Sequence, residues 1–152
     1  MKTVLALLLL TVCPALSQNK NSENEVRQTL SEFLQAFDNL EWERFAGFFA
    51  NDATLFQPRK FPRRAENKTE IEDEFRQVFE IIRGNQSKPP YMDVQPRDLR
   101  IQMLTGDVAI ATFHLDDRPG MLNRRTIVLQ HFKPGWKIVH LHASEVAVPA
   151  AN

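Results

Sequence analysis

The stretch WKIVHLHASE, Trp136 to Glu145, decides most of the fold that this sequence predicts. Apolar and polar residues alternate along it, which is the period-two pattern of a β-strand with one buried face. The odd-numbered positions of Val139–Ala143 form an apolar side, and the even-numbered positions of Ile138–His142 carry the two histidines. Because the apolar side of a strand normally meets the helices, we expect the histidines to face away from any pocket.

Three more predicted strands precede this one and show the same alternation. They cover Leu99–Met103, Val108–Leu115 and Met121–Phe132. Turn-forming residues separate them, with Gly106-Asp107 before the second and Pro134-Gly135 before the last strand. The C-terminal half is therefore predicted to be a meander of long antiparallel strands.

Three amphipathic helices are predicted before the meander. Capping boxes at Ser22–Glu25 and Thr69–Glu72 precede the first and third helices, and a short second helix covers Trp42–Phe49. Asn51-Asp52 then breaks the chain before a brief strand, Thr54–Phe56. This order predicts an α+β fold, with three N-terminal helices packed on a curved, mainly antiparallel sheet.

The N terminus has the pattern of a secretory signal peptide, predicted for residues 1–17. Lys2 is followed by the apolar run Val4–Val12 and by a small-residue cleavage pattern ending at Ser17. The run is short for a bilayer span, so no membrane span is predicted. We expect a secreted or periplasmic protein, cleaved near Ser17, with one domain at 18–152 and its core at 23–146.

Composition excludes several classes of partner and site. Cys13 is the only cysteine and lies in the predicted signal peptide, so we expect no disulfide and no cysteine metal site in the domain. The 19 basic residues balance 19 acidic ones, which gives none of the basic excess that nucleic-acid binding requires. We therefore predict no nucleic-acid partner.

The sequence resembles a known superfamily in the order of its elements and in two motifs, GDVAIATFHL (Gly106–Leu115) and WKIVHLHAS (Trp136–Ser144). These are similar to the SnoaL-like branch of the nuclear transport factor 2-like superfamily, and most of all to the association domain of calcium/calmodulin-dependent protein kinase II. The resemblance covers roughly Glu23 to Val146. It implies a cone-shaped half-barrel, a pocket between sheet and helices, and dimerisation through the outer face of the sheet. It implies no single activity, because the superfamily includes isomerases, cyclases, dehydratases and members that only bind or assemble.

The predicted pocket is apolar and takes a small organic ligand. The resemblance places the pocket positions of the kinase association domain, several of which are charged there, at the uncharged Phe75, Leu115, Val128 and Ala143, so we do not expect anion binding. The predicted ligand-binding residues are Phe33, Phe37, Trp42, Phe75, Phe79, Leu115, Val128 and Leu141. We predict a non-catalytic binding domain without a cofactor. The alternative is an isomerase, cyclase or dehydratase that uses a pocket Asp or His as its general base.

The histidine pair also has to be considered as a metal site. His140 and His142 could bind zinc with a third ligand from His131, but no acidic residue or cysteine lies beside the pair. We predict no metal. His142 and Ser144 stand about 7 Å apart along one strand, beyond hydrogen-bond reach, so they are not predicted to form a nucleophile pair.

The last hairpin predicts the dimer contact. If its turn pairs Lys133 with Trp136, Arg125 lies opposite Ser144 on the face that carries the histidines. That face also carries apolar residues that a soluble monomer rarely exposes, so we predict a homodimer through it. Its predicted contact residues are Arg125, Ile127, Leu129, His131, His140 and His142.

Other polar candidates have simpler interpretations. Asp116-Asp117 resembles a carboxylate pair, but loop charges in solvent are the favoured reading, as they are for the basic loop Arg59–Arg64. His114 would be a pocket base only if its strand were turned the other way. Asn67 and Asn85 each begin a glycosylation sequon, which matters only in a eukaryotic secretory pathway.

Overall fold

The computed structural model describes residues 14–58, 61–115 and 120–148. These residues form three helices and five strands. In chain order they are α1 Pro14–Asp38, α2 Trp42–Gly47, β1 Phe49–Phe56, α3 Lys68–Asn85, β2 Arg97–Met103, β3 Val108–Leu115, β4 Met121–Phe132 and β5 Gly135–Ala147. Among the helices described, none has the length and apolar character needed to cross a membrane.

The strands form one curved, unclosed sheet in the order β1-β5-β4-β3-β2. β1 runs parallel to β5, and the other three neighbouring pairs are antiparallel. The helices pack on what we call the inner face, which carries buried Phe113, Ile127 and Leu141. The opposite, outer face carries the half-buried Ile110 and Val128. The predicted α+β fold with a mainly antiparallel sheet is confirmed.

A cluster of phenylalanines joins the three helices to one another. Phe45 of α2 is 1% exposed, and its ring centroid lies 4.6 Å from that of Phe75 and 5.0 Å from that of Phe79 on α3. Phe33 of α1 stacks on Phe45 with a centroid separation of 5.2 Å. The short helix α2 therefore joins the two long helices. Each aromatic pair stabilises this contact beyond the free energy gained from burial alone.

The predicted helix starts are wrong in position. α1 already includes residues before Ser22, so Ser22 lies inside the helix and is not its N-cap. α3 is capped by Asn67, whose side-chain oxygen accepts a hydrogen bond from the Glu70 backbone N–H at 3.0 Å. The Glu70 carboxylate in turn accepts from the Glu66 backbone N–H at 2.9 Å. The N-cap is thus Asn67, two residues before the predicted Thr69, because Asn caps as well as Thr does.

The break predicted at Asn51-Asp52 is also wrong. α2 ends at Gly47, and β1 runs without interruption from Phe49 to Phe56. β1 is an edge strand, and its two polar residues at 51 and 52 are exposed where its register with β5 is irregular. A polar dipeptide ends a buried strand but is tolerated at an exposed edge.

The turn between β4 and β5 lies one residue earlier in the chain than predicted, and together with a bulge this changes which residues face inward. Phe132 pairs with Gly135 at the turn, and beyond the bulge Arg125 lies opposite Ala143 and Ile127 lies opposite Leu141. One register shift falls between the pair Val128–His140 and the pair Leu129–Ile138. Val139 is the extra residue of this β-bulge, which brings Ile138 to the inner face beside Leu141.

Four of the predicted dimer contacts therefore lie on the wrong side of the sheet. Ile127 and Leu129 are fully buried on the inner face, and Arg125 faces inward with them. His131 pairs with Trp136 at the inner face, where the two rings meet edge to face with centroids 5.3 Å apart. The predicted register and the unpredicted bulge are together the cause of the error.

Candidate ligand pocket

A cavity of about 370 Å³ lies between α1, α3 and the inner face of the sheet. Phe33 and Phe37 of α1 and Phe75 of α3 supply aromatic walls, and Ile127 and Leu141 supply part of the sheet side. The cavity exists because the sheet curves away from two helices whose large side chains pack mainly on one another. Its volume suits a small organic molecule.

Five of the eight predicted ligand-binding residues line this cavity. They are Phe33, Phe37, Phe75, Leu115 and Leu141. Trp42 and Phe79 do not line it, because they pack on each other with centroids 5.6 Å apart in the aromatic cluster. Val128 is also excluded, since the observed register puts it on the outer face.

One end of the cavity is polar, which the sequence prediction missed. Arg125 and Glu145 both line it, and they reach it from neighbouring strands. Asn123, the direct partner of Glu145 across the two strands, is the fully buried polar residue of the described core. The Glu145 Oε2 and Asn123 Oδ1 atoms are buried. The prediction of an entirely apolar pocket is therefore wrong at this end.

Hydrogen bonds hold the part of the cavity wall that follows β1. Gln57, which lines it, donates from Nε2 to Glu74 Oε2 at 3.3 Å. Burial raises the pKa of the Glu74 carboxyl, the hydrogen bond from Gln57 partly opposes the increase, and the nearby charge of Glu70 adds to it. Leu55 and Ala65 exchange two backbone hydrogen bonds of 3.1 and 3.0 Å and so join the two ends of the segment that carries Gln57.

Asp38 fixes another part of the wall. Its carboxylate oxygens accept the Val94 backbone N–H at 2.9 and 3.1 Å, and its carbonyl accepts the Tyr91 N–H at 2.7 Å. Val94 lines the cavity. Burial raises the pKa of the Asp38 carboxyl, the hydrogen bond from Val94 lowers it, and the charge of Asp93 raises it further. Sequence reasoning missed this contact because 56 residues separate its partners.

The histidines predicted to face away from the pocket do so. His140 and His142 lie on the outer face, and Phe56 packs near both rings, at 6.1 and 5.6 Å between centroids. Thr54 Oγ1 lies 2.8 Å from His140 Nδ1. Burial lowers the pKa of His140, and the charges of His142 and Arg64 lower it further.

The other polar candidates lie outside the cavity or outside the described residues. His114 is on the outer face, with Nδ1 3.5 Å from Asp98 Oδ2. Arg64 pairs with Glu66 at 2.8 Å, whereas Arg59, Lys60 and Asp116-Asp117 lie outside the described ranges. Within those ranges, no three His, Cys, Asp or Glu side chains gather closely enough to hold a metal ion.

Comparison with known families agrees with this architecture. The family model of the SnoaL-like domain matches residues 26–149, which is most of the chain. The chain belongs to the SnoaL-like domain family. The resemblance predicted from Gly106–Leu115 and Trp136–Ser144 is therefore confirmed. A search of curated proteins found no match.

Solved structures with the same fold include proteins of different description. An NTF2-like protein of unknown function from Pseudomonas putida KT2440 has a TM-score of 0.70 at 18% identity, over 88% of this chain and 97% of that one. An NTF2-like protein from Streptomyces avermitilis, proposed to be a dehydratase, has a TM-score of 0.70 at 17% identity, over 86% and 99% of the two chains. The association domain of C. elegans CaMKII has a TM-score of 0.64 at 13% identity, over 84% and 98%. At these identities the likeness concerns the fold alone.

Proposed function

We propose that this protein is a binding domain that holds one small organic molecule in the cavity between its helices and the inner face of its sheet. The observation that carries the proposal is a cavity of about 370 Å³ with aromatic and aliphatic walls and one polar end. Small-molecule sites are concave and mostly apolar, with a few polar groups that orient the ligand. The SnoaL-like cavity has these properties.

A cavity-filling variant tests this proposal. Ala143 is buried on the inner face and lines the cavity, so Ala143→Trp puts an indole where the ligand would lie. Ala147→Trp, at the exposed end of the same strand, is the matched control. We expect 2-naphthamide to raise the melting temperature of the wild type and of Ala147→Trp, but not of Ala143→Trp. Equal stabilisation of all three would contradict the proposal.

A less disruptive variant keeps the test valid if Ala143→Trp does not fold. Val78→Trp changes a half-buried residue of α3 that also lines the cavity. Overpacking is better tolerated where the new ring can lean towards solvent. It should fold and should also lose the response to 2-naphthamide.

The protein is further proposed to be a homodimer that pairs through the outer face. Phe56, Ile110, Val128 and Val146 give this face an apolar character, and Phe56 and Val146 are exposed at 37% and 39%. Contiguous apolar surface on a soluble protein commonly marks an interface. That a relative with this fold is an association domain supports self-association. Light scattering after size exclusion, with twice the monomer mass expected, tests it.

Export is proposed on the sequence pattern alone. Cleavage near Ser17 would remove the first residues of α1 and keep its fully buried Val26, so the core would survive processing. N-terminal sequencing of protein recovered from outside the cytoplasm should begin at or near Gln18. A protein that still begins at Met1 would contradict export by this route.

Glu145 favours an enzyme as the second candidate. The predicted pocket Asp or His is not among the described residues that line the cavity, but Glu145 is a carboxylate with a buried oxygen there and could act as a general base. A substrate whose turnover is lost in Glu145→Gln, while its binding is retained, would establish this function over simple binding.

A further inference from the structure

We propose that the ligand is an uncharged molecule with a flat apolar body and one carboxamide-like end. The oxygen of this end accepts a hydrogen bond from Arg125, and its N–H donates a hydrogen bond to Glu145. This inference rests on the proposed binding function and adds the chemical class of the ligand. It follows from three properties of the cavity: the placement of its two described charged side chains, their opposite signs, and the character of the remaining described walls.

The two charged side chains are placed to grip one small group. Arg125 lies opposite Ala143 in the ladder of β4 and β5, and Glu145 is two residues further along β5 on the same face. Such diagonal neighbours are separated by about 7–8 Å, with their Cβ atoms somewhat closer, and two long side chains can span this distance. A group with adjacent acceptor and donor atoms fits between a guanidinium and a carboxylate. A primary carboxamide is the simplest such group.

The opposite signs of these two side chains select against a ligand ion of either charge. Among the described residues that line the cavity, Arg125 and Glu145 are the charged ones, and their charges cancel. A ligand carboxylate would bind Arg125 but lie beside the negative charge of Glu145. A ligand ammonium would bind Glu145 but lie beside the positive charge of Arg125. Like charges placed together in a partly buried site cost affinity, so specificity here includes a repulsive element. A neutral ligand that both accepts and donates avoids both repulsions.

The remaining walls set the shape of the ligand body. Phe33, Phe37 and Phe75 present aromatic rings from the helices, and Phe113 presents another from β3. Aromatic walls favour flat ligands that meet them face to edge or by offset stacking. A cavity of about 370 Å³ holds the volume of about twelve liquid waters. That space suits a bicyclic body with one polar substituent.

Calorimetry with three matched probes tests the inference. The probes are 2-naphthamide, 2-naphthoate and 2-naphthylmethylammonium, which share one body and differ in charge. The wild type should bind the amide about tenfold more tightly than either ion. Arg125→Leu should weaken amide binding about tenfold and make the ammonium the best of the three. Arg124→Leu is the matched control, because Arg124 is next to Arg125 in the chain but its side chain is exposed on the outer face. It should keep the wild-type order.

A second variant keeps the test decisive if Arg125→Leu does not fold. Glu145→Gln preserves shape and hydrogen bonding but removes the negative charge, so naphthoate should gain about tenfold in affinity. Equal affinities for the three probes, all abolished by Ala143→Trp, would overturn this inference and leave the binding function intact. If none of the probes bound, both proposals would fail.

Discussion

The two faces of one β-hairpin differ more than their sequences suggest. On β4, Ile127 and Leu129 are fully buried beneath the helices, whereas their neighbour Val128 is half-buried on the outer face and Arg124 is exposed. Both faces carry apolar and polar residues, so composition does not distinguish them. Cross-strand register does, because a shift of one residue exchanges every side chain between the inner and the outer face.

The largest expected effect concerns stability on the inner face. Leu129→Ala should lower the free energy of unfolding by about 2–5 kcal/mol, because it leaves a cavity in a core where Leu129 is fully buried. Val128→Ala, on the outer face of the same strand, should cost less than about 1 kcal/mol. Urea denaturation at one protein concentration measures both. Equal losses would contradict the assignment of the two faces.

The second effect concerns assembly through the outer face. Val128→Asp puts a charge into the proposed apolar contact and should convert the dimer into a folded monomer at micromolar concentration. Lys133→Asp, exposed in the β4–β5 turn, is the control and should stay dimeric. Light scattering and circular dichroism together decide this. A dimeric Val128→Asp protein would exclude this face as the contact.

The third effect concerns the wall that Asp38 holds. Asp38→Ala removes both acceptors of the Val94 N–H and should cost about 1–3 kcal/mol, whereas Asp38→Asn keeps one acceptor and should cost less. The raised pKa of Asp38 means that the folded state holds this proton more tightly than the unfolded state does. Its contribution to stability is therefore present at low pH and is lost as the pH rises from about 4 through the folded pKa. Asp38→Asn should lack this part of the pH dependence in urea titrations between pH 3 and 7.

The smallest effect has the opposite sign and belongs to the outer face. The pKa of His140 is lowered in the fold, so the unfolded state binds its proton first as the pH falls below about 6.5. Stability should decrease from pH 7.5 to pH 5.5 by more in the wild type than in His140→Gln. Thermal melting over this range measures the difference. Identical pH profiles would show that His140 does not contribute.

Local patterns in the sequence were sufficient to predict the elements of the fold. β3 and β4 were predicted at their observed bounds, Val108–Leu115 and Met121–Phe132, because the alternation there is unbroken and turn residues flank each strand. The SnoaL-like family was predicted from the stretches Gly106–Leu115 and Trp136–Ser144, which hold β3 and most of β5. The start of α3 was misplaced by two residues because Asn67 is as able to cap a helix as Thr69 is.

The site was predicted less well because it depends on contacts between distant residues. The residues on helices, such as Phe33 and Phe75, were placed correctly because each helix has one apolar side. Arg125 and Val128 were each predicted on the wrong face of the sheet. Turn residues alone do not fix whether the last pair of the hairpin includes Lys133 or Phe132. The bulge at Val139 has no local signal either, since a valine suits any strand position.

Protection of single cysteines on β5 tests the division of the two faces most directly. In a Cys13→Ser background, which removes the native cysteine, Ala143→Cys faces the cavity and His142→Cys faces outward. Saturating 2-naphthamide should slow maleimide labelling of Ala143→Cys at least about tenfold and leave His142→Cys unchanged. Protection of His142→Cys, or equal rates with and without ligand at Ala143→Cys, would contradict a ligand pocket on the inner face.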